Sequence, residues 1–87
     1  MKTKIYRVDD YYRNAGDLVG FFLTKEEAES ETEFTTSCDV GDGTFSQIIE
    51  FEVDSDVLKG IDLADNEAML SERIWGSGDI LNEFYYK

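Results

Sequence analysis

The chain has 87 residues, 41% apolar and 14% aromatic, with 20 acids against 8 cations and a net charge of −12. That length supports one modest core and therefore a single domain spanning residues 1–87, and the apolar content excludes an acidic disordered tail. The charge argues against direct binding to nucleic-acid phosphates or to an anionic membrane surface.

Residues 1–13 hold four cations (Lys2, Lys4, Arg7, Arg13) and two acids (Asp9, Asp10), a net of +2, so the remaining 74 residues carry −14. The cationic start MKTKIYRVDD is followed by no apolar stretch of signal-peptide type. The longest apolar run, LVGFFL at 18–23, is far shorter than the roughly 20 residues needed to cross a bilayer. With Cys38 as the only cysteine, no internal disulfide forms, and the expected location is the cytoplasm.

In chain order, KIYRV at 4–8 begins an edge-like strand, and DLVGFFLT at 17–24 reads as a second. The NAGD turn at 14–17 lets the two pair as a hairpin, and residues 9–13 fit either strand or loop. Thr24 with Glu27 forms a capping box, Leu23 and Ala28 are placed as a hydrophobic staple, and a helix is predicted from 25 to about 33. CDVGDGT at 38–44 is a glycine turn. In TFSQIIEFEVD at 44–54, alternation puts Phe45, Ile49, Phe51 and Val53 on one face of a strand and Glu50, Glu52 and Asp54 on the other. A short turn near 56–60 precedes a predicted helix from about 65 to 74; GSG at 76–78 stops it, and DILNEFYY at 79–86 is a last strand. The expected fold is α+β, a small antiparallel sheet of about four strands with one or two helices on one face.

Several chemistries fail on the residues present. Histidine is absent, which removes the commonest general base and the usual zinc ligand, and one cysteine cannot build a structural zinc site. Cys38 reads as a small, partly buried hydrophobe. The segment from Asp39 to Glu50 has the length of a calcium loop, but Gly41 and Gly43 stand where the third and fifth ligands belong and Thr44 where glycine is required. GDG and GSG lack the spacing and lysine of a phosphate loop. No catalytic residue, metal or cofactor is expected.

What remains is the acidity. TKEEAESETEF at 24–34 places Glu26, Glu27, Glu29, Glu31 and Glu33 beside a single cation, Lys25. The helix macrodipole favours Glu26 and Glu27 in the first turn. Glu27 with Glu31 and Glu29 with Glu33 are like-charge i,i+4 pairs, each destabilising a helix by about 0.2–0.5 kcal/mol. Glu50, Glu52 and Asp54 supply a second row at intervals of about 6.6–6.8 Å, and Asp56 extends it. The net charge equals that on roughly 20 Å of duplex axis, at about one charge per 1.7 Å. Trp75, beside GSG, is a candidate apolar anchor.

A short, cysteine-poor, acidic α+β chain displaying Glu29, Glu31, Glu33, Glu50, Glu52 and Asp54 resembles the phage-encoded DNA mimics, which include anti-restriction and anti-CRISPR proteins. The resemblance is one of composition and type, and it implies a stoichiometric inhibitor. The expected partner is a basic nucleic-acid-binding protein such as a CRISPR or restriction nuclease, contacted through Glu26, Glu27, Glu29, Glu31, Glu33, Glu50, Glu52, Asp54, Asp56 and Trp75. The alternative is a regulatory or antitoxin-like subunit that pairs with its partner through Phe84 to Tyr86, its acidity serving solubility.

Overall fold

The computed structural model describes residues 1–13, 15–59 and 78–87. Five strands, β1 (Lys2–Tyr12), β2 (Ala15–Phe22), β3 (Ser37–Cys38), β4 (Phe45–Asp54) and β5 (Asp79–Tyr86), form one antiparallel sheet in the order β2-β1-β4-β5-β3. A short helix, α1 (Lys25–Ser30), lies between β2 and β3, and a single 3₁₀ turn (Ser55–Leu58) follows β4. The described part is thus mostly sheet, with five strands where about four were expected and one small helix. The predicted helix at 65–74, together with GSG up to Gly76 and Ser77, lies outside the described residues.

β1 is not an edge. It runs to Tyr12 between β2 and β4, which makes most of the ambiguous 9–13 segment strand. Arg7 is neutralised within the sheet: its guanidinium grips Asp9 in two-pronged fashion, Nε at 3.0 Å from Oδ2 and Nη2 at 3.2 Å from Oδ1. Asp9 is almost wholly buried. Burial pushes its carboxyl above the usual range, and Arg7 pulls it only partly back. The β1–β2 connection is tighter than the NAGD turn expected from sequence. Tyr12 pairs with Ala15, and Arg13 takes the left-handed conformation (φ 54°) that a two-residue hairpin loop requires.

β4 is buried on both faces. Ile49, Phe51 and Val53 pack with Ile5 and Phe21 in one cluster, flanked by Leu18 and Leu58, with Phe21 edge-on to Phe51 at 6.3 Å. On the other face Ile48 joins Tyr6, Val8, Tyr86 and Ala28, flanked by Val19, Phe22, Phe34 and Phe84. The second face was expected to be acidic and solvated. It is instead the face that α1 covers, because Ile48 and the buried Ser46 share the parity of Glu50 and draw it inward.

α1 begins as expected: the Glu27 amide donates to Thr24 Oγ1 at 3.2 Å. It ends at Ser30 rather than near 33. The hydroxyls of Ser30 and Thr32 donate to the carbonyls of Glu27 and Glu29 at 2.6 and 2.8 Å, satisfying acceptors that further helix would have used. Leu23 is 53% exposed, so no staple closes over Ala28. In the glycine turn, Gly43 adopts φ 76°, and Gly41 lies directly under the Phe45 ring, where a Cβ would collide with the ring. Phe45 in turn stacks on Tyr11 at 4.7 Å.

Gly41→Ala is therefore expected to destabilise the protein by about 1–3 kcal/mol in urea unfolding, the usual cost of overpacking, with the Tyr11–Phe45 stack displaced. An unchanged midpoint would show that the ring yields freely.

Candidate protein-interaction surface

The helix is held to the sheet at two points. Ala28, fully buried, seats it against Tyr6, Val8, Ile48 and Tyr86. Lys25 Nζ lies 3.9 Å from the centre of the Phe84 ring and 3.7 Å from Glu29 Oε1. Within the acid-rich run Glu29 is thus paired, one turn on from Lys25, and the helix is too short to impose i,i+4 repulsion between Glu29 and Glu33.

Beyond α1 a polar clamp fixes the chain. Asp10 Oδ1 accepts from Ser46 Oγ at 2.5 Å and from the Glu33 amide at 3.4 Å, while Ser46 Oγ accepts from the Phe34 amide at 3.1 Å. Thr36 and Lys87 then exchange backbone hydrogen bonds at 3.0 and 2.7 Å, leading into β3. The consequence is an exposed set of four carboxylates, Glu26, Glu27, Glu31 and Glu33, on a backbone anchored before, within and after the helix. Glu29 is exposed beside them.

The strand row is a different matter. Glu50 is 8% exposed and accepts from Asn82 Nδ2 at 2.8 Å. The Asn82 amide, and after it the Tyr6 hydroxyl, hold its carboxyl below the usual range, and the same bond pushes the Tyr6 hydroxyl up. Glu52 is half-buried and stands in register between Lys4 of β1 and Asp79 of β5. Asp54 is exposed but stands in register with Lys2, and its Oδ1 accepts from the Asp56 amide at 3.1 Å to cap the 3₁₀ turn. Asp56 is exposed. The two lysines of β1 thus answer Glu52 and Asp54 strand to strand, so the expected row of uncompensated charge does not form along β4. Trp75 lies outside the described residues.

The structure therefore gathers Glu26, Glu27, Glu29, Glu31 and Glu33, leaves Asp54 and Asp56 at the end of β4 opposite Ser46, and withdraws Glu50 into the sheet. The positioning residues that sequence reading missed are Asp10, Ser46 and Lys25. Lys25 was legible from its i,i+4 spacing to Glu29, and Ser46 from its place in phase with Ile48; Asp10 shows itself only through a long-range contact. Among the described residues no three Cys, Asp or Glu side chains gather as metal ligands. No described helix is long and apolar enough to cross a membrane. Comparison of the chain with models of known protein families, with curated proteins and with solved structures yields no match.

Because the Glu50 carboxyl is held low, the stability it contributes is present above its unfolded value and is lost as pH falls through its folded one. Glu50→Gln is expected to lower the thermal midpoint at neutral pH, with the gap to wild type closing as the pH is taken down through the carboxylate range. A constant gap would contradict ionic hydrogen bonding at this site.

Proposed function

We propose that the protein is a stoichiometric inhibitor whose α1 and 31–33 surface occupies the basic nucleic-acid-binding site of another protein, a host defence nuclease of the CRISPR or restriction type. The observation that carries this reading is the set of exposed carboxylates, Glu26, Glu27, Glu31 and Glu33, displayed on a clamped backbone, with Lys25, the cation within the run, engaged by Glu29 and Phe84. A preorganised set of like charges complements a channel built for phosphates and steers a fast, salt-sensitive association. It loses little entropy on docking, since its backbone is already fixed.

In this reading the protein works in the cytoplasm of the cell that holds the nuclease. It turns over no substrate, and neither metal nor cofactor takes part. The −12 charge keeps free copies apart and soluble. Glu50 takes no part in the contact and serves the sheet, and Asp54 and Asp56, at the other end of β4 from Ser46, lie apart from the 31–33 segment.

The test is recovery of a nuclease on the immobilised protein from bacterial lysate, followed by affinity measurement with the purified pair. Replacing Glu26, Glu27, Glu31 and Glu33 together by Gln is expected to weaken binding at low salt by tenfold or more, about 1.4 kcal/mol, with the thermal midpoint unchanged or raised. Equal affinity of the variant and wild type would remove this surface from the interface.

A further inference from the structure

β5 carries a second feature that the acidic surface does not explain. Among the described residues, its outer side is paired at Tyr85 and Tyr86, which face Cys38 and Ser37 of β3, and at Lys87 beyond them. The apolar end expected to be open from Phe84 to Tyr86 is therefore largely taken, and Tyr86 is buried. Among the described residues nothing pairs with the outer edge at 79–84. Within that stretch the ladder to β4 slips: Glu50 faces Asn82 but Phe51 faces Ile80, so Leu81 is an extra residue with no partner on β4. Ile80 and Leu81, adjacent in sequence, are 53% and 42% exposed. A regular strand would turn one of two neighbours to the core.

Charge frames this pair. Asp79 precedes it and Glu83 follows, both exposed, and the Tyr85 hydroxyl donates to Glu83 Oε2 at 3.0 Å, fixing the carboxylate on the strand. A bulge with flanking acids is a device that discourages an edge from pairing with its own kind. Two copies, each of charge −12, would also bring these acids together. The same flanks favour a cationic strand.

We propose that residues 79–83 accept an extended segment of a basic partner protein by strand addition, with aliphatic side chains of that segment on Ile80 and Leu81 and its Lys or Arg residues on Asp79 and Glu83. Main-chain hydrogen bonds and the aliphatic pair supply affinity, and the two carboxylates select against neutral and acidic segments. This site is separate from the α1 surface and stands or falls without it.

A random-peptide phage library panned on the immobilised protein tests this directly. Enriched peptides are expected to alternate Lys or Arg with aliphatic or β-branched residues and to bind the Ile80→Asp, Leu81→Asp variant about tenfold more weakly. The Glu26, Glu27, Glu31, Glu33 to Gln variant is expected to bind them with little change. Amide shifts in labelled wild-type protein on adding the synthetic peptide are expected at 79–84, a readout that needs no variant to fold. No enrichment over a blank support, equal binding to the aspartate variant, or shifts confined to α1 would overturn the proposal. A dimer in sedimentation that the same variant dissolves would overturn it in favour of self-association.

Discussion

β4 lies in the middle of the sheet, and both of its faces are buried from Phe45 to Phe51 but for the half-buried Gln47. Ile48, Phe51 and Val53 are essentially inaccessible, and each such side chain contributes about 1.5–3 kcal/mol on burial. A strand of this kind needs cover on each face, and α1 with the 31–36 segment supplies it on one. Everything polar that enters these two layers must bring its own partner. Asp9 has Arg7, Glu50 has Asn82 and Tyr6, and Ser46 has Asp10 and the Phe34 amide. Among the described side chains no buried polar atom is left unpaired.

That requirement sorts the acids. Those on β1 and β4 become structural, through hydrogen bonds, a cap or a lysine in register. Among the described residues, those on α1 and the following loop have no such duty beyond the Lys25 pairing of Glu29, and they face solvent. Asp9 marks the limit of what the sheet tolerates. Its raised carboxyl means that stability from this group is greatest at acid pH and declines as pH rises through its folded value. Among the described residues, the helix that closes one face of β4 and the loop after it are thereby left displaying Glu26, Glu27, Glu29, Glu31 and Glu33 to solvent.

The parts legible in sequence are those governed by local rules. Thr24 and Glu27 announce the start of α1, and the odd-numbered apolar residues of β4 announce one core face. DILNEFYY announces β5, though not its bulge at Leu81. The misreadings came from contacts between residues distant in the chain. Alternation assigned Glu50 to solvent because Asn82 and Tyr6, which accommodate it inside, are 32 and 44 residues away. Ile48 beside Ile49 was the local sign of a doubly buried strand, and the acids on either side obscured it. β3 has two residues, too few for any pattern, and exists only where Tyr85 and Tyr86 offer an edge. The hairpin loop was displaced toward Asn-Ala-Gly because glycine is the usual left-handed residue, whereas the structure gives that conformation to Arg13.

The central claim is that the α1 surface stands in for nucleic acid, and the most direct measurement is competition on the purified nuclease: binding followed across a salt series, with and without the duplex or guide RNA that the nuclease holds. Mutually exclusive occupancy, with affinity falling steeply as salt rises, is the expected result. A ternary complex of protein, nuclease and nucleic acid, with affinity indifferent to salt, would contradict mimicry and leave the exposed carboxylates as a solubility feature.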